Sequence, residues 1–170
     1  NQLFGASSFS TYFKLFDNVW THGDFILINN YFGVKIYGRS DATLNPGGVR
    51  IGTSEIYQVV ESLLYIKDSL AIGQCCNDDE RIILFVKLKE NMLLTKDIIS
   101  EIKNKIKVCC SPRHVPYKII SIKDIPYTIN GKKVEIAVKN IIHGEKPKNK
   151  SALSNPESLL LYKNIRELRV

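Results

Sequence analysis

The stretch that most constrains this sequence runs from Gly38 to Ile56, where charged residues surround an obligatory bend. Pro46 fixes its own φ angle, and the two glycines after it tolerate positive φ angles, so the chain turns here. Beyond the bend, apolar residues recur at helical spacing, with Glu55 near the positive end of the helix dipole. The stretch therefore predicts a charged bend that leads from one structural unit into the first helix of the next.

This pattern resembles the hinge motif of the adenylate-forming acyl-CoA synthetases: Gly-Arg-x-Asp, six residues, Gly-x-Arg-Ile, three residues, Glu-Ile. A turn followed by an ordinary capped helix would explain the glycines and the glutamate. It would not explain an arginine and an aspartate at fixed offsets, so the family interpretation is favoured. The residues that match are Gly38, Arg39, Asp41, Gly48, Arg50, Ile51, Glu55 and Ile56.

Upstream of the hinge, the sequence resembles the end of the family's large domain, Thr-x-Gly-Asp, which Thr21, Gly23 and Asp24 match. In the family this aspartate receives the two ribose hydroxyls of ATP, and a carboxylate suits two O–H donors. A turn residue beside Gly23 is the alternative for Asp24. Its position shortly before Gly38 favours the ATP interpretation.

A third motif lies near the end of the chain, where the family carries Pro-x-Thr-x-x-Gly-Lys on a loop. Pro126, Thr128, Gly131 and Lys132 match it. Because the family's lysine directly follows the glycine, we assign Lys132 to the site. Lys133 is assigned to the first turn of the following helix.

The resemblance implies an α+β fold, namely the small carboxy-terminal lid domain of an adenylate-forming enzyme. We expect about three strands and three helices, preceded by a short β remnant of the large amino-terminal domain. Residues 1–40 would end the incomplete AMP-binding domain, 41–145 would form the lid and 146–170 a tail. The strongest strand pattern, 81–88, and a helix over 95–108 agree with this division.

The resemblance also implies a two-step ligation of an acid to a thiol. The acid attacks the α-phosphorus of ATP to give acyl-AMP and pyrophosphate, and coenzyme A then displaces AMP. Lys132 would be catalytic in the first step, because a compact ammonium between carboxylate and phosphate screens their repulsion. The lid would then rotate about Asp41, the hinge residue, so that its other face closes the site.

Further roles follow from the same resemblance. Asp24, Arg39 and Arg50 would bind the nucleotide. The pantetheine arm would pass the side-chain-free Gly47 and Gly48. The candidates for the 3′-phosphate of coenzyme A are Lys107 and Arg113. Magnesium is expected to accompany ATP but not to be bound by this chain, and no metal ligand is assigned.

The net charge of +7 is concentrated between residues 101 and 150, which hold twelve Lys or Arg and four Asp or Glu. Such a segment attracts polyanions of any kind, including phosphorylated cofactors, nucleic acid and acidic membranes. The segment has no run of aromatic residues alternating with its lysines for base stacking, and the apolar runs are too short to span a bilayer. We therefore expect small-molecule substrates, and neither nucleic acid nor a membrane as partner. A non-catalytic, regulatory module derived from an acyl-CoA synthetase stays open as the alternative.

No Ser/Thr/Gly-rich phosphate loop and no acid pocket occur in the sequence, so both are expected on a large domain before residue 1. The first residue is Asn rather than Met, in line with an incomplete chain that is inactive alone. Within the family, the similarity is greatest to members that use acetoacetate. It is carried by residues 20–24, 45–50, 130–135 and 154–168.

Three smaller expectations concern residues outside these motifs. His114 has no carboxylate beside it in the sequence, which favours a surface or packing role. The acidic run at 78–80 is interpreted as a solvated hairpin tip. The vicinal pairs Cys75-Cys76 and Cys109-Cys110 lack the spacing of a metal or redox site, which predicts buried reduced thiols and a cytosolic location.

Overall fold

The computed structural model of the chain describes residues 13, 16, 18–39, 42–77, 79–147 and 150–168. The strands and α-helices, in chain order, are β1 (Asp24–Ile28), β2 (Val34–Arg39), α1 (Thr53–Val60), β3 (Ile66–Cys76), β4 (Asp79–Leu88), α2 (Lys96–Cys109), β5 (Lys118–Ser121) and α3 (Glu135–Ile142). Short 3₁₀ turns lie at Pro46–Gly48, Pro112–His114, Lys150–Ala152, Pro156–Tyr162 and Arg166–Leu168. Within the described ranges, these elements confirm the predicted α+β fold.

The central sheet contains β3, β4 and β5, with β4 in the middle. β3 and β4 pair antiparallel as a hairpin, whereas β5 runs parallel to β4. Residues Ile82 to Val86 of β4 are all buried. Their uninterrupted apolar sequence is typical of a strand that is covered on both faces.

Two apolar cores lie on opposite faces of the sheet, because successive strand residues point to opposite sides. Ile82, Leu84 and Val86 pack with α1 and α2 on one face. Ile83 and Phe85 pack with α3 and the tail on the other. The sheet is therefore the middle layer between two helical layers.

The helix α2 begins and ends where the sequence predicts. The Thr95 hydroxyl accepts a hydrogen bond from the Ile98 N–H at 3.3 Å, as an N-cap. Ile102 and Ile106 form its buried face. The helix ends at Cys109, just before Pro112, whose ring excludes continuation.

The tail packs on the sheet as a series of 3₁₀ turns. Tyr162 is fully buried, with its ring edge-on to Phe85 at a centroid distance of 4.9 Å. Its hydroxyl donates to the Asp124 carbonyl at 3.0 Å. The tail is thus joined to the segment that leads into the Lys132 loop.

The β1–β2 hairpin carries an uncovered apolar face. Ile26 pairs with Ile36 and Ile28 with Val34, which places all four side chains on one face. Each of them is more than half exposed. Within the described part of the chain, no element packs over this face.

The cysteines depart from expectation in one respect. All four are free thiols, but none is buried: Cys75 and Cys109 are exposed and their neighbours are half-buried. The reason is that each pair lies at the end of an element, β3 or α2, rather than within it. No helix among the described residues is both long and apolar enough to cross a bilayer.

Candidate functional site

The first predicted site residues meet at the open end of the β1–β2 hairpin. Asp24 and Arg39 are direct partners in the antiparallel register, so they lie on the same face. The Asp24 carboxylate is 2.5 Å from Nδ1 of the largely exposed His22. The Thr21 hydroxyl is buried, and no described residue forms a hydrogen bond with it. The Thr-x-Gly-Asp segment and Arg39 therefore form one polar corner.

Lys132 lies at the tip of a tight hairpin turn. Thr128 closes the turn with three hydrogen bonds: its N–H donates to the Lys132 carbonyl at 2.8 Å, and its carbonyl and hydroxyl accept from the N–H groups of Gly131 and Lys132. Gly131 has a φ of +72°, which favours glycine. The Lys132 side chain is exposed, and its ammonium has no ion-pair or hydrogen-bond partner among the described residues.

Lys133 has the opposite surroundings. Its ammonium lies 2.5 Å from Glu61 Oε1 and 2.8 Å from Asp68 Oδ1, and it bonds to the Ser69 carbonyl. It also lies 4.1 Å from the centroid of the Tyr57 ring, a cation–π distance. Lys133 does not lie in the first turn of α3, as was expected, because it forms a β-bridge with Tyr127 and α3 begins only at Glu135. With its side chain only 15% exposed, Lys133 ties the segment before α3 to α1 and β3. Of the two adjacent lysines, Lys133 is therefore held by ion pairs, whereas Lys132 is exposed.

A cavity of about 450 Å³ brings two of the predicted residues together. Arg39 and Lys132 both line it, with Thr128 on the same loop and Glu135 at the start of α3. Ala152 and Leu153 of the tail close another side. Lys133 lines this largely apolar cavity as well, but its ammonium is engaged by carboxylates. The exposed Lys132 ammonium is suited to a phosphorylated ligand, because it can donate charge-assisted hydrogen bonds to phosphate oxygens.

A second group of predicted residues surrounds the glycine turn. Gly47 and Gly48 have φ angles of +55° and +78°, which explains why two glycines occur here. The Gly47 N–H donates to Asp79 Oδ1 at 2.9 Å, and the Asn45 N–H donates to Glu80 Oε1 at 2.7 Å. The first two residues of β4 therefore anchor the turn.

The Arg113 guanidinium lies over this turn, since a Cβ atom built on Gly47 would be 2.6 Å from Arg113 Nη1. The hydrogen bonds from Gly47 and Glu80 N–H groups, together with the Arg113 charge, hold the pKa of Asp79 below its usual value. The structure thus brings Gly47, Gly48 and Arg113 together. The Arg113 guanidinium therefore lies beside exposed backbone that carries no side chains. An anionic ligand with a narrow chain could contact both, because the guanidinium donates charge-assisted hydrogen bonds.

The remaining predicted residues are more dispersed. Arg50 is exposed on the segment that leaves the glycine turn, and Lys107 is exposed in the last turn of α2. Neither is among the residues that line the Arg39–Lys132 cavity. Asp41, the predicted hinge, lies outside the described residues. The roles assigned to these three residues stay predictions.

Two contributions were missed in the sequence. Asp79 and Glu80 were interpreted as a solvated hairpin tip, but they anchor the glycine turn, and Glu80 also bonds to Lys139 at 2.8 Å. His114 was assigned a surface or packing role because no carboxylate lies beside it in the sequence, but in the fold its Nε2 is 3.0 Å from Glu55 Oε2. Both contacts join residues more than thirty positions apart, so no local spacing could have revealed them.

The geometry agrees with comparisons to known proteins, although no family model matches the chain. An acyl-CoA synthetase from Brucella canis shares the fold, at a TM-score of 0.55 and 20% identity over 71% of this chain. The structure of acetoacetyl-CoA synthetase from Streptomyces lividans gives a TM-score of 0.86, with 37% identity over 95% of this chain. The acetoacetyl-coenzyme A synthetase of Rhizobium meliloti is 53% identical over 97% of it.

These similarities and the two sites define the class: the chain has the carboxy-terminal lid fold of the adenylate-forming acyl-CoA synthetases. Within that class, the curated relatives that the chain matches at 49–53% identity are acetoacetyl-CoA synthetases. The chain spans about a quarter of the length of the curated relatives that it matches.

Proposed function

We propose that this chain is the carboxy-terminal part of an acetoacetate–CoA ligase. The enzyme would convert acetoacetate and ATP to acetoacetyl-AMP and pyrophosphate, and would then transfer the acyl group to coenzyme A. The observation that carries the proposal is the exposed Lys132 ammonium, on a cavity that it shares with Arg39. The 53% identity to a relative of that name supports the choice of acid.

In the first step, Lys132 would lie between the acid carboxylate and the α-phosphate of ATP. Negative charge gathers on the phosphate oxygens as the anionic acid approaches, and one ammonium can contact both groups. Asp24 would accept the ribose hydroxyls, and Arg39 would hold ribose or phosphate. The described residues gather no group of three or more His, Cys, Asp or Glu that could hold a metal ion.

In the second step, the lysine would obstruct the incoming thiol, so the small domain would rotate and present the glycine turn. Gly47 and Gly48 would let the pantetheine arm pass close to the backbone. Arg113, with Lys107 nearby in sequence, would receive a phosphate of coenzyme A. Arg50 would lie beside the phosphate or the arm.

The partner implied by this function is a large domain that supplies the acid pocket and the phosphate loop. The uncovered apolar face of β1–β2 supports such a partner, because an exposed apolar patch of this kind marks a contact surface. We propose a cytosolic location, which reduced, free cysteines support.

The test joins this chain to the amino-terminal three-quarters of the Rhizobium meliloti relative, in place of that protein's own carboxy-terminal quarter. Acetoacetate-dependent exchange of pyrophosphate into ATP would be measured, followed by acetoacetyl-CoA formation. We expect both activities in the joined protein and neither in the truncated relative alone. A joined protein that folds and binds ATP but exchanges no pyrophosphate would refute the proposal and favour a non-catalytic module.

A further inference from the structure

His114 joins parts of the small domain that are far apart in sequence. Its Nε2 lies 3.0 Å from Glu55 Oε2 at the start of α1, and its Nδ1 lies 2.8 Å from Ser111 Oγ. The imidazole is only 14% exposed. With the proton assigned to Nε2, His114 donates to Glu55 and accepts from Ser111, whose oxygen accepts the Arg113 N–H at 3.2 Å. In this hydrogen-bond network, the Arg113 N–H, the Ser111 hydroxyl and the His114 Nε2–H then each donate to an acceptor.

The same 3₁₀ turn, Pro112–His114, carries Arg113 to the glycine turn. The guanidinium occupies the space that the absent Gly47 side chain leaves open. Asp79, which accepts the Gly47 N–H, adds an opposite charge near the guanidinium. Two contacts therefore hold Arg113 at the glycine turn. Asp79 of β4 attracts its guanidinium, and His114 attaches the 3₁₀ turn that carries its backbone to α1.

We propose that His114 is a positioning residue for the coenzyme A step, and that it acts by fixing Arg113 over Gly47. The inference rests on the proposed function. An arginine side chain has many rotamers, and ordering it at the moment of binding costs free energy. The link from Glu55 through His114 to Ser111 holds the backbone of Arg113 in place beforehand. The adenylation step uses the other cavity, which none of these residues lines.

Replacements of His114 can remove the two contacts separately. H114A removes both, H114Q keeps an amide N–H near the position of Nε2 for Glu55, and H114N keeps an amide oxygen near Nδ1 for Ser111. His143 offers a matched control, because its ring also has two partners, the Cys75 N–H at 3.1 Å and the Lys139 carbonyl at 2.8 Å. It makes no contact with the Ser111–His114 segment in the described structure.

The kinetic test uses the protein joined to the Rhizobium meliloti large part. We expect H114A to raise the KM for coenzyme A by about tenfold, with pyrophosphate exchange within about twofold of the unsubstituted protein. H114Q and H114N should give intermediate KM values, and H143Q should leave the KM unchanged. A residue that only supports the fold would lower both half-reactions together, and that result, or an unchanged KM, would overturn the proposal.

A second measurement does not depend on the proposed function. Hydrogen exchange of the Gly47 amide in the 170-residue chain should be faster in H114A, because the turn loses its fixed neighbour, while the Val138 amide in α3 should be unaffected. Unaltered Gly47 exchange would overturn the positioning role. An unsubstituted joined protein with no exchange activity would count against the proposed function, and Gly47 exchange would then decide the positioning by itself. Should H114A fail to fold, H114Q decides by the same readouts.

Discussion

Lys132 and Lys133 are adjacent, yet their surroundings assign them different tasks. Lys133 neutralises Glu61 and Asp68 in a half-buried cluster, whereas Lys132 is exposed at the tip of its turn. The sequence could favour Lys132 only through the spacing of a motif. Lys133 is not available to bind a ligand because Glu61 and Asp68 engage its ammonium. These are tertiary contacts, which the sequence does not reveal.

The first prediction concerns the stability of these two lysine variants. K133M should lower the free energy of unfolding by about 1–3 kcal/mol, because two carboxylates lose their shared cation. K132M should change it by less than about 0.5 kcal/mol, since the side chain is exposed. Urea unfolding of both variants checks this, and equal effects would contradict the assignment of Lys133 as the structural lysine.

The second prediction concerns the two glycines of the turn. Ala at either position should cost about 1 kcal/mol of stability, because both φ angles are left-handed. Only G47A should also displace Arg113, since the space around a Cβ at Gly48 is open. The Arg113 Nε–H resonance should therefore shift in G47A and not in G48A. A shift of equal size in both variants would show that Arg113 does not lie against Gly47.

At the scale of elements, the segment that leads into the Lys132 loop is held by β4 and by the tail. Lys87 bonds to Asp124 Oδ1 at 2.5 Å. The Asn155 amide donates to Asp124 Oδ2 at 2.6 Å and to the Ile125 carbonyl, and its oxygen accepts the Tyr127 N–H. Two elements distant in sequence therefore fix where the loop begins.

The third prediction follows from the pKa of Asp124. Burial raises the pKa of Asp124, but the hydrogen bonds from Lys87 and Asn155 and the charge of Lys87 together lower it by more, so that the net shift is downward. The contribution of Asp124 to stability is then present above the unfolded pKa of about 3.9 and is lost as pH falls through the folded value. D124N should be less stable than the unsubstituted chain at pH 7, and the difference should shrink in acid. A difference that is independent of pH would contradict this linkage.

Elements encoded by local sequence patterns could be predicted, whereas features set by tertiary contacts could not. The strand β4 and the helix α2 were predictable, because a continuous apolar run and a capped helical period are local signals. The 3₁₀ form of the tail was not predictable. It depends on Tyr162 reaching Phe85 and Asp124, which are contacts across the fold. The anchoring of the glycine turn by Asp79 and Glu80 was not predictable either, because it also depends on contacts between residues distant in sequence.

At the scale of the molecule, the predicted site residues separate into two groups. A second cavity, whose lining includes Asn45, Gly48, Asp79 and Glu80, has no lining residue in common with the Arg39–Lys132 cavity. The bend itself packs with α1 and α2, because Leu44 and Ile51 on either side of it are buried in the same core as these helices and form a β-bridge. A rotation that exchanges the two groups would therefore occur before Leu44, where the hinge at Asp41 is proposed.

The fourth prediction concerns the division of labour between the two parts. The 170-residue chain alone should form no acetoacetyl-CoA, because no acid pocket is assigned to it. In the joined protein, the preference for acetoacetate over other short acids should be that of the Rhizobium meliloti enzyme. A joined protein whose preference among short acids differs from that of the Rhizobium meliloti enzyme would contradict the assignment of acid selection to the large domain.

The most direct test of the account separates the two half-reactions in the joined protein carrying K132A. Removal of one preorganised cation should slow acetoacetate-dependent pyrophosphate exchange by about 10²–10³-fold. Formation of acetoacetyl-CoA from supplied acetoacetyl-AMP should stay near the unsubstituted rate, because the second step uses the glycine turn. Pyrophosphate exchange that persists in K132A at the unsubstituted rate would contradict the claim that this chain supplies the catalytic cation.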